Sequence, residues 1–84
     1  MQIEVRLFAS LRDRLPREAR GRGEVEVQAG ASLADLLDLL AIPPKQAQMV
    51  LVNGDPVPRT PGLREATRLE KGDTVSIFPP VAGG

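Results

Sequence analysis

The sequence predicts a small α+β domain in which one main helix packs across one face of a sheet. Three observations carry this. The chain has 84 residues, 42% hydrophobic and 26% charged, enough for one modest core and no second one. Apolar and polar residues alternate over Gln2 to Phe8, Glu24 to Gln28 and Thr74 to Phe78, the period-2 pattern of strands with one buried face. Between them Leu33, Leu36, Leu37 and Leu40 recur at helical spacing.

In chain order, Ile3, Val5 and Leu7 alternate with Gln2, Glu4 and Arg6 in a first strand. Ala9 to Leu15 places Leu11 and Leu15 four apart, a short helix that Pro16 stops. Gly21-Arg22-Gly23 reads as a loop, and Glu24 to Gln28 as the second strand. Ser32, three residues ahead of Asp35, is placed to cap the main helix, which Pro43-Pro44 ends near Ala41. Met49 to Val52 is a continuous apolar run before the turn pair Asn53-Gly54, so it is expected to be buried on both faces or central in the sheet. Pro56-Val57-Pro58 fits a brief edge strand, followed by loop and short turns to Arg68. Lys71-Gly72-Asp73 turns the chain into the last strand, with Val75 and Ile77 on one face and Phe78 on the other.

Composition removes most kinds of chemistry. There is no cysteine and no histidine, which excludes disulfides, iron–sulfur ligation, thiolate or imidazole nucleophiles and the usual zinc ligand sets. The serines Ser10, Ser32 and Ser76 have no histidine to activate them, so a stand-alone enzyme is not expected. Net charge is zero and the only aromatics are Phe8 and Phe78, which argues against a nucleic-acid partner. Arg12, Arg14, Arg17, Arg20 and Arg22 are interleaved with Asp13 and Glu18 and read as a solvated surface rather than an anion site. Asn53-Gly54-Asp55 reads as a hairpin turn rather than a phosphate loop, and Glu24 and Glu26 as solvated carboxylates rather than metal ligands. No leader or membrane span is evident, and a cytoplasmic location is the expectation.

The end of the chain is what remains. Pro79-Pro80-Val81-Ala82-Gly83-Gly84 loses side-chain bulk toward its final residue, and the last two residues carry no Cβ. Two prolines stiffen the exit from the strand, and the glycines let another protein's backbone approach the Gly84 carboxylate from any side. A domain of residues 1–78 carrying a flexible tail of residues 79–84 is the expected organisation.

Val5 to Arg12, Ser32 to Leu37, Val52-Asn53-Gly54 and, most specifically, Lys71-Gly72-Asp73 leading to Ile77-Phe78-Pro79-Pro80-Val81-Ala82-Gly83-Gly84 resemble the ubiquitin-like sulfur carriers of the MoaD/ThiS family. The resemblance is nearest to the small subunits of molybdopterin synthase. It implies the β-grasp fold, a mixed sheet gripping one helix. It also implies a function: the Gly84 carboxylate, with Gly83 before it, is adenylated by an E1-like enzyme that uses ATP and magnesium. A sulfur donor protein then converts it to a thiocarboxylate. No cofactor or metal is implied for the chain itself. The loaded tail would enter the large, catalytic subunit of molybdopterin synthase, in a heterotetramer, and give its sulfur to precursor Z. Phe8 and Phe78 are candidates for an exposed docking patch, with core burial the alternative, and Pro79, Pro80, Val81 and Ala82 for packing in the partner's channel. Ala41 to Pro44 and Pro56 to Pro61 depart from those small subunits. The departure leaves open a carrier for thiamine thiazole or tRNA thiolation, or a protein modifier joined to targets through Gly84.

Overall fold

The computed structural model describes residues 1–80. Five strands, β1 (Gln2–Leu7), β2 (Arg22–Glu26), β3 (Met49–Val52), β4 (Asp55–Val57) and β5 (Thr74–Phe78), form one sheet in the order β2-β1-β5-β3-β4. β1 and β5 run parallel, and the other neighbours are antiparallel, so the sheet is mixed. Helix α1 (Leu33–Leu39) supplies Leu33, Leu36 and Leu37 to the core, where they meet Ile3, Val5, Leu7, Val50, Val75 and Ile77 from alternate strand positions. Burying a side chain of this size stabilises a fold by about 1.5–3 kcal/mol. The expected architecture is the one observed.

Both ends of α1 follow from named residues. At the start, Ser32 Oγ accepts from the Asp35 amide at 3.1 Å and the Asp35 carboxylate accepts from the Ser32 amide at 2.9 Å, a reciprocal capping box. The bond from the Ser32 amide, and after it the Ser32 hydroxyl, hold the Asp35 carboxyl below its ordinary value, helped by Arg68. At the end, Ala41 takes φ 57°. Its amide donates to Asp38 O at 3.0 Å and the Ile42 amide donates to Leu37 O at 2.9 Å. That is a Schellman closure with alanine in the left-handed position that glycine usually fills. It stops the helix at Leu39, before the prolines are reached.

Two elements differ from expectation. β2 runs from Arg22 to Glu26 rather than Glu24 to Gln28, because pairing with β1 extends through Gly23, opposite Val5, and Arg22, opposite Arg6. A one-turn helix α2 (Leu63–Ala66) forms where loop and short turns were expected; Leu63-Arg64-Glu65-Ala66 are all good helix formers. Met49 to Val52 takes the second of its two expected placements, inside the sheet between β5 and β4, with Val50 buried and Met49 54% exposed. The segment Ala9–Arg14 is a 3₁₀ helix with Leu11 buried, and a second 3₁₀ turn, Arg17–Ala19, follows it.

Candidate functional site

The register assigns the sheet's outer face in rows. Arg22, Arg6, Ser76, Leu51 and Pro56 lie side by side across it. On one side of that row stand Glu24, Glu4 and Thr74. On the other, at the end where β5 leaves the sheet, Phe78 pairs with Met49. Phe8 completes this last row, its amide donating to Ile77 O at 3.2 Å. Because β1 and β5 are parallel, both chains reach this edge together, and the two phenyl rings stack with centroids 4.1 Å apart and planes within 8°.

The stack is on the surface. Phe8 is 38% exposed and Phe78 half-buried, so core burial is not their role. With Ala9, Ser10, Gln48, Met49, Pro79 and Pro80 they line an open, mostly apolar groove of about 590 Å³. The structure thus brings together Phe8, Phe78, Pro79 and Pro80. Val81, Ala82, Gly83 and Gly84 lie outside the described residues.

Sequence reasoning missed Met49, because Met49 to Val52 is apolar throughout and has no alternation to mark its exposed side. It also missed that the arginines converge. Arg6, Arg12, Arg20 and Arg22 surround a second groove, of about 430 Å³, which shares Phe8 and Ala9 with the apolar one. A third groove, of about 510 Å³ between α1 and α2, mixes Asp35, Asp38 and Glu65 with Arg59, Arg64 and Arg68. Burial pushes the Arg64 guanidinium down, and its Nη2 donates to Ala47 O at 2.5 Å, a bond that ties α2 to the segment before β3. Among the described residues, no group of three or more His, Cys, Asp or Glu is arranged to hold a metal ion, and no helix is long and apolar enough to cross a membrane.

A mixed five-stranded sheet with one helix across it, and a small apolar face beside the strand that delivers the C-terminal residues, defines a β-grasp protein of the ubiquitin-like class. The model of the ThiS family matches residues 5–84, and the chain belongs to that family. Among solved structures, it is similar to the HVO 2177 protein from Haloferax volcanii, at 33% identity over all of this chain and 87% of that one, with a TM-score of 0.69. SAMP1 from the same organism is 27% identical over the whole of both chains, TM-score 0.67. A chain of the complex between subunits 1 and 2 of the molybdopterin-converting factor from Helicobacter pylori shares the fold, at 22% identity over both full chains and TM-score 0.59. A search of curated proteins gives no match. The protein is therefore a ubiquitin-like carrier or modifier, one of a class of small proteins that are not themselves catalysts.

Proposed function

We propose that the chain is the sulfur carrier for molybdopterin synthesis and the small subunit of a molybdopterin synthase. The observation that carries this reading is the placement of Pro79 and Pro80. They leave β5 beside the apolar Phe8, Phe78 and Met49 groove and lead into Gly83-Gly84, in a chain with no cysteine or histidine. A carboxylate at Gly84 is ionised at neutral pH and resists attack by a nucleophile. An E1-like enzyme, with ATP and magnesium, makes the Gly84 acyl-adenylate and releases pyrophosphate. The donor's persulfide sulfur attacks the acyl carbon and expels AMP, and a thiol then cleaves the resulting S–S bond, leaving the donor in a disulfide and the sulfur on Gly84 as the thiocarboxylate. The large subunit receives the tail, with the apolar groove as its docking surface, and its own side chains direct the sulfur to precursor Z. The likeness in fold to a chain of the Helicobacter pylori complex supports a partner subunit of this kind.

Intact-mass analysis after incubation with the E1-like enzyme, ATP and a sulfur donor tests the proposal. One oxygen replaced by sulfur is the expected result, and removal of Gly84 abolishes it; an unchanged mass rejects it. A specific observation favours a second reading. SAMP1, similar along its whole length, is a small archaeal modifier protein, which supports conjugation of Gly84 to a target lysine through the same adenylate. Adducts that survive reducing denaturing gels and vanish without Gly84 would identify that activity. Transfer of sulfur to thiazole synthesis or to tRNA would use the same loaded tail, and assays with each acceptor separate these from the first reading.

A further inference from the structure

The arginines around Gly21 have no part in the tail chemistry, yet the fold gathers them in one place. The groove beside Phe8 has Arg6, Arg12, Arg20 and Arg22 in its wall and no acidic side chain. Gly21, at φ +80°, makes this packing feasible. A Cβ there would stand 2.4 Å from Leu7 O and 3.1 Å from the Arg12 Cγ, so Arg12 lies directly over bare backbone. Glu4 takes the Nε of Arg6 at 2.9 Å. Among the described residues, no carboxylate lies within ion-pair distance of Arg12, Arg20 or Arg22.

Folding stability does not account for the arrangement. On the outer face Arg6 is directly opposite Arg22, and Glu4 directly opposite Glu24. Like charges opposite each other on an antiparallel pair are destabilising. Exchanging Arg22 with Glu24 would turn both repulsive pairs into attractive ones without altering composition. On this face β1 and β2 instead keep the Arg6 and Arg22 pair at the end that borders the apolar groove and the Glu4 and Glu24 pair toward the other end.

We propose that Arg6, Arg12, Arg20 and Arg22 form a basic rim, against which the E1-like adenylating enzyme sets acidic side chains when it takes the C-terminal tail and covers the apolar groove of Phe8, Phe78 and Met49. An apolar centre with a charged rim is the anatomy of a protein interface, and rim charges govern encounter and selectivity. A nucleic acid fits less well. Its phosphates would leave the apolar groove uncovered, and the two phenyl rings are stacked on each other rather than offered to bases. The rim rests on the carrier reading, since it adjoins the end of β5.

Loading by the E1-like adenylating enzyme of the same organism, followed as ATP-dependent pyrophosphate release, tests the rim with R22E/E24R, which preserves net charge. The KM of the variant is expected to rise about tenfold with kcat unchanged, while its thermal midpoint equals or exceeds that of wild type. Added salt raises the wild-type KM and leaves that of the variant nearly flat. R22Q, which disturbs folding least, should raise KM about threefold and decides the matter if the double variant does not melt cooperatively. Equal KM values for wild type and variants overturn the rim and leave the carrier reading standing. Absence of wild-type turnover overturns the carrier reading and the rim with it. Wild-type binding of a single-stranded RNA oligomer that is lost in R22E/E24R, with KM unchanged, assigns the arginines to nucleic acid and also overturns the rim.

Discussion

The two faces of the sheet are made by the same strands and obey different rules. On the inner face Ile3, Val5, Leu7, Val50, Val75 and Ile77 are almost fully buried under the leucines of α1. On the outer face the same strands carry an exposed Met49, a surface phenyl stack, and like charges set opposite each other. A fold optimised for stability alone would satisfy both faces. The difference shows that the inner face holds the domain together and that the outer face carries features folding does not need.

The comparison breaks first if a core truncation is tolerated. Leu36→Ala should lower the unfolding free energy by about 2–5 kcal/mol, measured by urea denaturation, because it empties a fully buried site. Ser32→Ala, on the helix side of the same core, should cost about 1 kcal/mol by removing one half of the capping box. Ala41→Gly should move in the other direction and stabilise by about 1 kcal/mol, since glycine enters the left-handed position without strain. A change on the outer face sharpens the contrast: Phe8→Ser should alter stability by no more than about 1 kcal/mol, the scale of an aromatic pair, while loading of Gly84 weakens. The smallest effect is in pH. Asp35 is more acidic folded than unfolded, so its contribution is complete above the unfolded value near about 4 and is lost as pH falls through the folded one. Asp35→Asn should flatten the acid limb of the stability curve, read as the thermal midpoint against pH.

The inner face was largely legible in the sequence because burial imposes periodicity. Alternation in β1 and β5, and the leucine spacing of α1, located the core without coordinates. What escaped depends on partners distant in sequence. The start of β2 is set by its pairing with β1, which recruits Gly23 and Arg22 into a strand that their local sequence does not suggest. The helix end was expected near Ala41, but its local cause, a backbone closure with Ala41 left-handed, was not legible because alanine gives no signal for it. The arginines looked solvated because Arg6, distant in the chain, meets Arg22 only through strand register. Phe8 and Phe78 were recognisable as a pair of candidates, but only the parallel pairing of β1 with β5 shows that they touch.

That parallel pairing also has a practical consequence for handling the molecule. With β1 and β5 aligned in direction, the first residue lies at the opposite end of the sheet from the point where Pro79 leaves it. The six residues of β1 separate the two ends by about 20 Å. A fluorophore or affinity tag fixed to Met1 therefore stands clear of both the apolar groove and the arginines, whereas Pro79 and Pro80 themselves line that groove. Immobilisation through the first residue presents every copy with the apolar groove outward.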